Sequence, residues 1–82
     1  MVPIQHLKLY LGRHSYKDHP IYGVAVPAPE NQFYSRGLVF DRDLNQTIEI
    51  KRIESDRTFK TKKQAEKFGL ELCKAWIDSN RP

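Results

Sequence analysis

Leu7, Leu9 and Leu11 alternate with His6, Lys8 and Tyr10 near the start of the chain. This two-residue period predicts a half-buried strand over Ile4 to Leu11, ended by Gly12. The polar stretch RHSYKDHP that follows closes on Pro20 and reads as a loop into a second strand, Ile21 to Val26. PAPENQ then breaks the pattern, because Pro27 and Pro29 have no N–H to give a sheet ladder. A third strand is expected over Phe33 to Phe40, a polar turn at DRDLN, and a fourth strand from Gln46 to about Ile53, the last two paired as a hairpin. The third strand carries bulk on both sides, Phe33 and Val39 on one and Tyr34, Leu38 and Phe40 on the other. Such a strand is either covered twice or offers one face to a partner.

After Phe59 the period lengthens to that of a helix. Thr61 is a natural N-cap and Gln64 completes a Thr-x-x-Gln capping box. At about 100° per residue, Ala65, Phe68, Gly69, Leu72, Cys73 and Trp76 share one arc that should bury, with Lys63, Lys67, Glu71, Lys74 and Asp78 opposite. Leu70 and Ile77 fall on its flank, where they either widen the buried face or belong to an interface. The pattern is that of an α+β domain: an antiparallel sheet of about four strands in the N-terminal two-thirds and one C-terminal helix packed on it. Without a repeat or linker, residues 1–82 read as a single domain, and a chain of this length buries only roughly 60% of its unfolded surface.

A composition of 39% hydrophobic and 29% charged residues excludes a disordered tail. The single cysteine, Cys73, excludes an intramolecular disulfide and points to a reducing compartment. No apolar run approaches the roughly 20 residues of a membrane span, and the first residues lack the layout of a secretory signal. No membrane partner and a cytoplasmic location are therefore expected. The net charge of +4 is concentrated: from Lys51 to Lys67 there are seven basic residues (Lys51, Arg52, Arg57, Lys60, Lys62, Lys63, Lys67) against three acidic ones, while the rest carries seven of each sign. That asymmetry draws anions or acidic partners toward one side of the molecule.

Chemistry-bearing residues are sparse. His14 and His19 flank Asp18, but the chain has neither the Cys-x-x-Cys nor the His-x-x-x-His spacing of a zinc site, so no metal is expected there. Cys73 lies on the apolar arc, where a thiol packs rather than attacks. Asp41, Asp43 and Asn45 start like a calcium loop without its glycine and distal glutamate, and read as turn formers. No serine sits in a nucleophile elbow and no glycine-rich phosphate loop is present. The expectation is no enzyme and no cofactor.

The segment RTFKTKKQAEKFGLELCKAWID, a strand end followed by Phe-x-Thr-x-x-x-Ala and an amphipathic helix, is similar to a pattern of small bacterial β-β-β-α domains. It resembles the ethylene-response-type DNA-binding domain and the phage-integrase arm-binding domains, in which three strands contact the major groove and a helix buttresses them. The resemblance implies Arg36, Arg42, Lys51 and Arg52 as strand-borne contacts. Taken whole, the chain resembles small orphan proteins of bacterial prophage-like regions, where assembly and accessory roles are common. The leading expectation is a non-enzymatic binding or assembly module, a phage-type tail or particle accessory protein acting through protein contacts or self-association. Tyr34, Leu38, Phe40, Leu70 and Ile77 are its candidate partner surface. The alternative is nucleic-acid binding through Arg36, Arg42, Lys51, Arg52, Arg57, Lys60, Lys62, Lys63 and Lys67.

Overall fold

The computed structural model describes residues 12–41 and 48–80. Strands β1 (Gly12–Tyr16), β2 (His19–Ala28), β3 (Gln32–Phe40) and β4 (Glu49–Phe59) precede one helix, α1 (Lys62–Ser79). The strands form one antiparallel sheet in chain order, and α1 lies across one of its faces. The expected α+β architecture is the one observed.

Two expected loops are strand. RHSYKDHP is a β-hairpin: β1 pairs with β2 from Gly12 opposite Gly23 to Tyr16 opposite His19, turning through Lys17 and Asp18 at φ of 50° and 72°. Gly12 is therefore itself a strand residue. The usual sign of such a turn is an Asn-Gly or Asp-Gly pair, and Lys-Asp does not carry it. PAPENQ likewise does not stop β2, which continues through Pro27, opposite Phe33, to Ala28. An antiparallel ladder draws on the N–H of alternate residues for each neighbour, so one proline can be carried. The reversal falls on Pro29, Glu30 and Asn31, with Glu30 and Asn31 at positive φ.

The β3–β4 hairpin is as expected, except that β4 runs on to Phe59 with irregular steps opposite Tyr34/Ser35 and Val39/Phe40. At the mouth of its connection the Asp41 N–H donates to the Ile48 carbonyl at 2.8 Å. The expected strand over Ile4 to Leu11 and most of the DRDLN turn, Arg42 included, lie outside the described residues.

The helix begins as its capping residues predict. Thr61 is the N-cap, and its Oγ1 accepts from the Gln64 N–H at 3.1 Å. The buried line along α1 is Ala65, Gly69, Cys73 and Ile77, a strict four-residue spacing. Phe68, Leu72 and Trp76, expected on the same arc, are half-buried at its sides. The cause is a seam of glycines. A Cβ on Gly23 would fall inside the shell of the Glu66 carbonyl oxygen, one on Gly37 would lie 2.6 Å from the Gly69 carbonyl oxygen, and one on Gly69 would meet the Arg36 carbonyl. Helix and sheet meet backbone to backbone, so the smallest residues are the most buried and the rings straddle the contact. Ser35 Oγ donates to the Ala65 carbonyl at 2.6 Å across the same seam. Ile21, Val39, Cys73 and Ile77 form the core beside it.

Candidate partner and anion surfaces

Alternation along β3 separates the two faces. Ser35, Gly37 and Val39 point to α1, so Tyr34, Arg36 and Leu38 point away from it. The register adds Tyr22, Val24 and Val26 to the far face, opposite Leu38, Arg36 and Tyr34. Among the described elements none packs on this face. Tyr34, Leu38, Val24 and Val26 are half-exposed there, and Val26 and Tyr34 share the lining of a cavity of about 660 Å³ with Ser35, Glu54, Ser55, Asp56 and, from α1, Leu72. Phe40 is also on this face but is only 8% exposed, its ring edge-on to Tyr22 at 5.2 Å. Tyr34 and Leu38 thus share an accessible surface, and Phe40 is its floor.

Leu70 and Ile77 do not join that surface. Both belong to α1 on the other side of the sheet. Ile77 is 4% exposed in the core, and Leu70 packs partly against the core beside Gly23. Of the two readings open for them, widening the buried face is the one observed.

The basic residues divide in a similar way. On the far face Arg36 and Arg52 are matched by carboxylates. Arg36 Nε lies 3.3 Å from Glu54 Oε2, and Arg52 donates from Nε and Nη2 to the two oxygens of Glu49 at 3.0 Å each. That fork holds the exposed Arg52 guanidinium above its ordinary pKa, chiefly through the hydrogen bond to Glu49. Such matching offsets the charge of these two arginines on the far face. Lys60, Lys62, Lys63 and Lys67 gather instead around the start of α1, all exposed. Beside them Arg57 lies over both Phe59 and Phe68, at 5.3 and 5.0 Å from the ring centroids, and the two rings are 5.1 Å apart. Arg57, Phe59, Lys60, Gln64, Lys67 and Phe68 line a shallow groove of about 530 Å³ between β4 and α1.

The other reactive side chains are occupied structurally. His19 Nδ1 donates to the Phe40 carbonyl at 2.9 Å, which fixes its tautomer and removes that nitrogen as a metal ligand. His14 stands in β1 opposite Ile21, and among the described residues no three His, Cys, Asp or Glu side chains are gathered for a metal. The Cys73 thiol is buried, donates toward the Leu38 carbonyl at 3.4 Å, and is pushed up to about 11 by that burial. It is a core residue, as its place on the arc implies. Asp78, unfavourable at a helix C-terminus, is held by Lys17 Nζ at 2.6 Å and by the Tyr16 hydroxyl at 3.0 Å.

Sequence reasoning did not name Val24 and Val26, nor the Arg57–Phe59–Phe68 stack, as parts of these surfaces. The first pair needs the β2–β3 register, and the stack needs the extension of β4 past Ser55. No helix among the described residues is long and apolar enough to cross a membrane. Comparison of the chain with protein-family models, curated proteins and solved structures finds no match.

Proposed function

We propose that this chain is a non-enzymatic binding module that takes a protein partner on the sheet face turned away from α1. The observation that carries this reading is the half-exposed group Val24, Val26, Tyr34 and Leu38, on a face that no other described element covers. Sheets with two apolar faces are ordinarily sandwiched, and an apolar patch rimmed by charges marks an interaction site. Arg36 with Glu54 and Arg52 with Glu49 form that rim. In the setting implied by resemblance to prophage-region orphans, the partner would be a component of a phage-type particle.

The test is a photo-crosslinking amino acid at position 34, with position 71 on α1 as the control, in cells that make the chain naturally. A single protein adduct at 34 and none at 71 is the expected outcome. Equal labelling at the two positions, or none at 34, removes the reading.

A second reading, nucleic-acid binding, is favoured by one observation: the Arg57 guanidinium stacked on Phe59 and Phe68 with Lys60 and Lys67 beside it. Single-stranded nucleic acid uses such combinations of stacking platform and positive groove. Fluorescence anisotropy of a labelled single strand should then show affinity that falls steeply with salt and is lost in Arg57→Ala. Absence of binding at low salt eliminates it.

A further inference from the structure

Among the described strands β4 is the outer one, paired with β3 alone, and at 11 residues it is about twice the mean strand length. Glu49 to Arg52, Glu54 and Asp56 to Thr58 are exposed along it. An edge of that length leaves a row of backbone N–H and C=O groups able to template another strand. Its irregular steps confine where this can happen. The pairing passes from Glu49 to Lys51 opposite Phe40 and Val39, and from Ser55 to Thr58 opposite Ser35 and Tyr34, so Ile50 and Asp56–Arg57 bulge out. Between the bulges Lys51 to Ser55 is regular, and its midpoint is Ile53.

We propose that a second copy of this chain occupies this edge, β4 against β4 and antiparallel, about a two-fold axis through Ile53. The two four-stranded sheets become one continuous sheet with both helices on the same side. Self-complementarity of charge is the argument. About Ile53 a two-fold sets Arg52 opposite Glu54 of the second copy, Glu54 opposite its Arg52, and Lys51 opposite its Ser55, with each pair on one face. Every neighbouring register that keeps the helices on one side fails this condition. Centred on Lys51, Arg52 or Glu54, the axis sets that residue against its own copy. Centred on Ser55, it sets Glu54 against Asp56. Charges on an edge strand ordinarily deter pairing, and here they deter every such register but one.

This inference narrows the assembly reading by naming a second copy as a partner, and it stands apart from the far face, since substitutions at the axis leave Tyr34 and Leu38 in place. Sedimentation equilibrium of the full chain over a concentration series should show mass rising from the 9.6 kDa chain toward twice that value. R52E, which faces Glu54 of the other copy at each of the two symmetry-related positions, should weaken the dimer about tenfold, as expected for two like-charge pairs together costing near 1.4 kcal/mol. The swap R52E/E54R should restore it, and Glu49→Gln, which removes only the in-chain partner of Arg52, should leave it unchanged. In an independent measurement, Ile53→Cys should form an intermolecular disulfide under mild oxidation faster than Lys51→Cys, because only the first sits on the axis. Cys73 is buried and does not compete. A mass of one chain throughout, a dimer indifferent to R52E, no rescue by the swap, or equal oxidation of the two cysteine variants overturns the proposal. Dimerisation with no crosslink at position 34 would leave it standing while removing the far-face partner.

Discussion

The two faces of the sheet are packed in different ways, one by close backbone approach and the other by larger side chains. Beneath α1 the contact is made by Gly23, Gly37, Ser35, Gly69 and Cys73, and backbone atoms approach closely. On the opposite face Tyr34, Leu38, Val24 and Val26 offer far more apolar area and are only half covered. The difference teaches that the closest approach of helix to sheet comes from the absence of side chains, while the far face carries larger ones, buried at Tyr22 and Phe40 and half-exposed at Tyr34, Leu38, Val24 and Val26. One face is covered by α1, and among the described elements none covers the other.

The most severe way to break this contrast is to give the seam a side chain. Gly23→Val drives its Cβ into the Glu66 carbonyl, a backbone atom that cannot swing aside. The expected loss is about 3 kcal/mol or more, a large share of the stability of a domain this small. Urea titration and the near-ultraviolet circular dichroism of Trp76 should show the helix undocked.

Next in size is the pH dependence set by Cys73. Its thiol is pushed up to about 11, while an unfolded cysteine titrates near 9. Below about pH 9 both states hold the proton and stability is complete. Between about pH 9 and 11 the unfolded chain ionises first, so stability falls as pH rises, by up to roughly 2–3 kcal/mol. Denaturant midpoints across that range should decline more steeply in the native chain than in Cys73→Ser, which has no titrating group there.

A smaller effect is expected at the start of α1, where Thr61→Ala removes the cap on the Gln64 N–H and should cost about 1 kcal/mol. On the far face, Tyr34→Thr and Leu38→Thr keep a strand-forming residue and should each shift stability by less than about 1 kcal/mol. Loss of any position-34 adduct without loss of fold sharpens the contrast. A collapse as deep as that of Gly23→Val would abolish it.

Much of the architecture was legible because it is local. Thr61 and Gln64 mark the helix start, and the alternation from Phe33 to Phe40 marks β3 with both of its faces. What was hidden depended on pairing. The β1–β2 turn uses Lys17 and Asp18 at positive φ, residues that do not advertise such a turn. Pro27 resembles a strand breaker until the ladder around it is known. The helical arc was legible as a set that includes Ala65, Gly69 and Cys73, but not which of its members lies closest to the sheet, because Phe68 and Trp76 outweigh Gly69 in hydrophobicity. The far-face surface was half visible, through Tyr34 and Leu38. Ile77 was offered to it only because helical spacing does not reveal how wide the contact beneath a helix will be.

The glycine seam also has a mechanical meaning. The carbonyl oxygens of Glu66 and Gly69 sit in hollows left by Gly23 and Gly37, and the Arg36 carbonyl sits in the hollow of Gly69. Bumps seated in hollows from both sides act as a detent, so α1 cannot slide along its axis or roll across the strands without first lifting away. A load applied at the far end of the helix, where Asp78 is tied to Tyr16 and Lys17, is therefore passed to the strands without slack. The described helix and strands are thus held in one register along the seam.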